Sequence, residues 1–197
     1  MDEAEASDKD REKEVYARAI KLLARREHTR HELQVKLGKA GFEEALTVVV
    51  LDKLVEKGFQ SDLRFAELYV EQRFNKGYGE RDIRAKLLQR GIDRQMTDSA
   101  LAEFVMSQNI DWYEHATRVL AARFNLSADD ANYAEDGLNH DEHPAEDDLS
   151  ADDRRQQARD QAVARQRIRK KWGSYLLRRG FSNDQVISAI DHSSAVD

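Results

Sequence analysis

Apolar positions recur along this chain three and four residues apart, the spacing that lines up side chains on one face of an α-helix. Ile20 and Leu23 mark such a stripe in VYARAIKLLARR (15–26), and Phe65 and Tyr69 mark one in FAELYVEQRFNK (65–76). Leu46, Val50 and Leu54 make a third stripe, Met96, Ala100 and Phe104 a fourth, and Val186 with Ile190 a fifth. The β-branched run Thr47 to Leu51 could build a strand. The segments that align with it, DSALAEF and SAID, have no such bias, so a helix is expected there too.

The stripes belong to a repeat. ELQVKLGKAGF (32–42), DIRAKLLQRGI (82–92) and SYLLRRGF (174–181) superimpose, bringing together Leu33, Ile83 and Trp172, then Leu37, Leu87 and Leu176. Gly41, Gly91 and Gly180 align next, each followed by an apolar residue, Phe42, Ile92 or Phe181. A preceding helix repeats as well, so that the pair Arg73-Phe74 meets Arg123-Phe124. Each copy therefore reads as three helices. Thr29 and Glu32 form a capping-box pair for a second helix, and each second helix ends at a glycine suited to the left-handed C′ position. Asp93 and the Ser182-Asn183-Asp184 cluster are N-cap candidates for third helices.

The fold this predicts is all-α, an elongated, curved tandem array of three three-helix repeats. One unit of this size buries too little to be secure alone, and stacking shares stability between neighbours. The expected boundaries are repeat 1 at 15–59, repeat 2 at 60–107 and repeat 3 at 108–191. An acidic insertion at 126–164 interrupts the third copy. Residues 1–14 read as an acidic, disordered tail and 192–197 as a second tail. The insertion reads as disordered, or loosely helical near its end, where it could extend the second helix backwards.

Charge changes the picture more than composition does. The net charge of −6 is uneven: residues 1–14 hold seven acids and three bases, and residues 126–164 hold twelve acids and three bases. The rest holds 26 bases and 19 acids, a positive body with negative appendages. Such asymmetry points to an acidic partner, most commonly nucleic acid. Cys is absent, which excludes disulfides, thiolate metal sites and cysteine nucleophiles. The longest apolar run, Val48 to Leu51, is far below the roughly 20 residues a membrane helix needs. A cytoplasmic monomer is expected.

With these residues in view, DLRFAELYVEQRFNKGYGERDIRAKLLQRGI resembles the central repeat of the RecX family, bacterial regulators of the RecA recombinase. The matching positions are Asp62, Phe65, Ala66, Tyr69, Arg73, Gly77, Gly79, Ile83, Leu87, Gly91 and Ile92. The resemblance covers nearly all of 15–125 and 165–191. It implies tandem three-helix repeats and no enzymatic activity. It further implies binding in the groove of the RecA–single-stranded DNA filament, with damping of strand exchange, ATP hydrolysis and the coprotease function in DNA repair and the SOS response. The long acidic insertion and the acidic N-terminus depart from the family's usual pattern.

The candidate chemistry fits binding rather than catalysis. No phosphate-cradling glycine run is present, and Gly77-Tyr78-Gly79 reads as a flexible interhelical turn. His140-Asp141-Glu142-His143 is the one local cluster that could hold a metal, and it lies in the insertion, so neither metal nor cofactor is expected. Basic clusters are more informative. Arg25, Arg26 and Arg30 close the first helix pair, and Arg73, Lys76, Arg81, Lys86 and Arg90 surround the turn and second helix of copy two. Arg165, Arg167, Arg169, Lys170 and Lys171 form a dense run in copy three, with Arg178 beyond. Lys36 and Lys86 occupy the same place in successive repeats, which would form a ridge. Rows of Arg and Lys track phosphates, and Tyr78 and Tyr175 lie near enough in sequence to stack on bases. Two other accounts compete: a helix-turn-helix-like module for duplex DNA, and a helical scaffold with protein partners alone. The insertion could also fold over Arg165 to Lys171 as an intramolecular brake.

Overall fold

The computed structural model describes residues 2–126 and 150–194. Most of the expected insertion, the His140–His143 cluster and residues 195–197 lie outside the described residues, and so does the expected brake over Arg165 to Lys171. Within them the chain is helical throughout, with nine helices and no strand. In the first copy these are α1 (Asp2–Leu23), α2 (Arg30–Lys39) and α3 (Glu44–Glu56). The second holds α4 (Asp62–Asn75), α5 (Glu80–Gln89) and α6 (Arg94–Gln108), and the third α7 (Trp112–Phe124), α8 (Ala151–Arg178) and α9 (Asn183–Ser194).

Local chemistry explains the ends. Thr29 accepts from Glu32 N–H at 3.0 Å, Asp93 from Met96 N–H at 2.7 Å and Ser182 from Gln185 N–H at 3.2 Å. At the other end of the second helices, Gly41, Gly91 and Gly180 have φ of 90°, 83° and 84°. The next residue then donates back to the helix: Phe42 to Leu37, Ile92 to Leu87 and Phe181 to Leu176. This is one Schellman closure made three times. The β-branched run is helical, with Thr47, Val50, Leu51 and Leu54 buried on α3. Apolar packing outweighs the weak strand preference of those residues.

Residues 2–14, expected as a mobile tail, continue α1 outward. Within that stretch Glu12 is anchored by Lys53 of α3. The opening of α8 is helical as well, its N-cap Ser150 and Asp153 forming a reciprocal capping box. Residues 151–167 of that helix are exposed on every side.

The chain divides into two compact units, 1–76 with 83–109, and 77–82 with 110–197. In unit 1, Val15, Ala19, Leu33, Leu37, Val50, Leu51 and Leu54 form one buried cluster. Phe65, Ala66, Val70, Ile83, Leu87, Ala100 and Leu101 are buried in its second copy. Polar bonds join the two copies. Thr29 Oγ1 donates to the Arg90 carbonyl at 2.7 Å, and the Arg30 N–H donates to Asp62 at 2.8 Å. A Cβ on Gly91 would stand 2.5 Å from His31 Cβ, so only glycine allows that approach.

Unit 2 is built on Ala116, Leu120, Leu176, Phe181, Val186, Ala189 and Ile190, with Trp172 and Tyr175 packed against them. Its own joint is main-chain on main-chain. Gly79 N–H donates to the Arg179 carbonyl at 2.8 Å and Arg81 N–H to the Gly180 carbonyl at 3.1 Å. A Cβ on Gly79 would meet the Gly180 carbonyl at 2.6 Å. Gly77-Tyr78-Gly79 is therefore a close-approach segment rather than a flexible turn.

Candidate nucleic-acid interface

Each unit places two arginines against one tyrosine. In unit 1 the ring is Tyr69 of α4, stacked on Phe65 at 5.7 Å with 13° between planes. The Arg90 guanidinium lies 5.1 Å from the Tyr69 centroid and 5.8 Å from that of Phe65, and Arg73 lies 6.0 Å from Tyr69. Phe65, Tyr69 and Arg90 line a cleft of roughly 590 Å³ with Arg26, Leu68 and Gln72. Carboxylates occupy the same region. Glu32 bonds both Arg26 and Arg90, and Glu27 bonds Arg64 at 2.7 Å. Glu32 thus serves its helix as a first-turn acid but leaves the reciprocal half of the expected capping box unmade.

In unit 2 the ring is Tyr175 of α8. Arg179 is held between Tyr78 at 5.0 Å and Tyr175 at 4.9 Å, and donates to the Gly77 carbonyl at 3.1 Å. Arg123 lies 5.9 Å from Tyr175 and 5.4 Å from its neighbour Phe124, whose ring also carries Lys171 at 5.5 Å. Phe124 meets Tyr175 edge-on at 5.6 Å and Trp172 at 6.0 Å. The result is a ladder of alternating cations and rings, each cation attracted by the ring's negative face. Beneath it sits His115, buried beside Phe181, its pKa lowered to about 4 mainly by burial.

The sequence-derived cations fall into distinct groups. Arg26, Arg30, Arg90 and Arg169 are in ion pairs, with Arg30 on Asp52 at 2.7 Å and Arg169 on Asp191 at 2.6 Å. Lys86 donates to Gln89. Among the described residues Arg25, Lys36, Arg81, Arg165, Arg167, Lys170, Lys171 and Arg178 are exposed and in no ion pair. Helical spacing divides the dense run: Arg167, Lys171 and Arg178 share one face with Lys170 beside them, whereas Arg165 and Arg169 turn away. Arg73 sits on its tyrosine, and Lys76 is the C-cap residue of α4. Arg84, which could have lain against the core, instead pairs with Asp98.

The cations left outside the candidate set were Arg123 and Arg179. Repeat spacing carried the signal, because Arg123 is the counterpart of Arg73 and Arg179 that of Arg90. Tyr78 and Tyr175, expected to stack on bases, stack on Arg179. No group of three His, Asp or Glu able to hold a metal occurs among the described residues, and no helix among them is long and apolar enough to cross a membrane.

Tandem three-helix units carrying cation–aromatic clusters define a helical-repeat protein. Two family models match: one described as RecX, first three-helix domain, over residues 16–54, and one described as RecX, second three-helix domain, over 61–101. The chain is 39% identical over 128 residues to the regulatory protein RecX of Xanthomonas axonopodis pv. citri, covering 63% of this chain and 76% of that one. It is 33% identical over 171 residues to that of Halorhodospira halophila, covering 87% and 83%. In fold it is similar to the crystal structure of RecX from Lactobacillus salivarius, with TM-score 0.61 and 21% identity over 94% of this chain and 98% of that one. The chain belongs to the RecX family, a family of regulatory proteins.

Proposed function

We propose that this chain binds the RecA–single-stranded DNA filament and restrains it, damping strand exchange, ATP hydrolysis and coprotease activity. It acts by occupancy as a cytoplasmic monomer, with no catalytic step and no cofactor. The observation that carries the reading is the set of exposed cations in no ion pair on a helical body of this family. A filament of nucleic acid coated by protein offers a periodic row of phosphates. Cations on a rigid repeat scaffold meet such a row without folding on contact, and the attraction weakens steeply with salt.

Titration of the protein into RecA on single-stranded DNA tests this. ATP hydrolysis should fall at sub-stoichiometric protein, and a rate unchanged by excess protein overturns the reading. The ridge expected from Lys36 and Lys86 gives a finer test. Lys36→Glu with Lys86→Glu should weaken inhibition several-fold while the helical content stays intact. Arg90 is left out of that variant because its guanidinium ties Glu32 to Tyr69, so its loss would disturb the joint between copies.

A further inference from the structure

We infer that the outer face of α4 docks a basic amphipathic segment of a partner protein. Its apolar side chains sit on Leu63, Leu68 and the adjoining cleft, and its cations on Glu67 and Glu71. The inference is independent of the filament reading and concerns unit 1 alone. By helical spacing Glu67 and Glu71 stand one turn apart, with Leu63 on one side of them and Leu68 on the other. All four are exposed, the two leucines by 46% and 50%. Among the described residues neither carboxylate is in an ion pair. The two arginines of the helix are engaged elsewhere: Arg64 binds Glu27, and Arg73 lies on the Tyr69 ring.

A lone exposed leucine is common on a folded surface. Leu68 differs because it opens into the cleft of roughly 590 Å³ that Phe65, Tyr69, Gln72 and Asn75 line along the same helix. From Phe65 to Asn75 that wall runs about 15 Å, room for roughly three turns of a docked helix. The opposite wall adds no excess of positive charge. Glu32 takes both Arg26 and Arg90, and Glu27 stands beside them. What remains uncompensated is Glu71 at the rim of the cleft and Glu67 one turn before it. A segment with apolar side chains every three or four residues, and lysine or arginine between them, matches that order of groups. Nucleic acid would bring phosphates against the two carboxylates, and an acidic peptide would meet the same repulsion. The face therefore selects a cationic protein partner.

Fluorescence anisotropy of the full chain with a labelled peptide of leucine and lysine at helical spacing tests the assignment. The unaltered protein should bind it and leave a matched peptide of leucine and glutamate unbound. Glu67→Gln with Glu71→Gln should lower the affinity about fivefold, the effect of two exposed ion pairs. Leu68→Gln should lower it several-fold, and that loss should persist at high salt, which screens charge but not apolar contact. Glu103→Gln removes an exposed carboxylate of α6 that is in no ion pair among the described residues. It should change affinity less than about twofold, which separates this face from a general attraction of basic peptide to an acidic chain. Every substituted position is exposed, so helical content should stay intact.

Unchanged affinity in the double variant overturns the inference, as does an equal loss in Glu103→Gln or full affinity for the leucine–glutamate peptide. Normal binding by Leu68→Gln would reduce the face to charge attraction and overturns it too. The double variant should also keep whatever inhibition of the RecA ATPase the unaltered protein shows. Loss of that inhibition would assign the face to the filament contact and remove the separate partner.

Discussion

His115 is buried among the Phe181 and Trp112 rings and is held neutral, its pKa lowered to about 4 by burial, with Arg118 opposing the charge further. An unfolded histidine titrates near 6.5, so the unfolded chain binds this proton more readily than the folded one. The stabilisation is fully present above pH 6.5 and is lost as pH falls toward 4. A shift of this size corresponds to about 3 kcal/mol at the acid end. Thermal melts of the protein and of His115→Gln should therefore converge between pH 6.5 and 4, and a constant difference would show that His115 does not titrate in this range. His28 is lowered in the same direction, again chiefly by burial, and adds to the acid sensitivity of unit 1. At the same scale, Gly79→Ala should cost about 2–3 kcal/mol, because the new methyl would press on the Gly180 main chain at 2.6 Å. Gly41→Ala faces open space and carries only the left-handed backbone cost, about 1–2 kcal/mol. Denaturant midpoints of the two variants should rank in that order, and the reverse order would remove the close-approach account of Gly79.

At the scale of the element, the second helices were the most legible. Their glycine closures and apolar faces depend on residues a few positions apart, and three copies reinforced one another. Charge pairing was not legible. Glu32 meets Arg90 and Glu27 meets Arg64 across long stretches of chain, and composition shows a cation without its distant partner. This is why Arg90 stood beside Lys171 as an equal candidate although their surroundings differ. The start of α1 was misjudged for a different reason: a dense acidic run suggests a solvated tail, yet the helix runs through it and Glu12 has an anchor on α3. Helix α8 is the converse case. Residues 151–167 have no packed face, and a helix that is polar all round draws little stability from its surroundings. Amide exchange should be fast through that stretch and slow from Trp172 to Leu176, where the helix meets the core. Uniform protection along α8 would mean the early turns are held by something beyond propensity and capping.

At the scale of the molecule, the sequence pattern conveyed the helices of the described residues and which faces they bury. It did not convey the joint within unit 2, because a joint built from carbonyls and N–H groups leaves no periodic trace in side chains. The missing side chains at Gly79 and Gly180 record it. That mode of joining has a further consequence for how the chain can change. In unit 2 the bonds are made just past the end of α8, at Arg179 and Gly180, and among the described residues none is made by its first turn at Ala151. Sequence can therefore be added or removed between Phe124 and Ala151 without touching the hydrogen bonds that hold the unit together. The third copy has a natural graft site, and its length there is free to drift while the other end of the same helix is fixed to the atom.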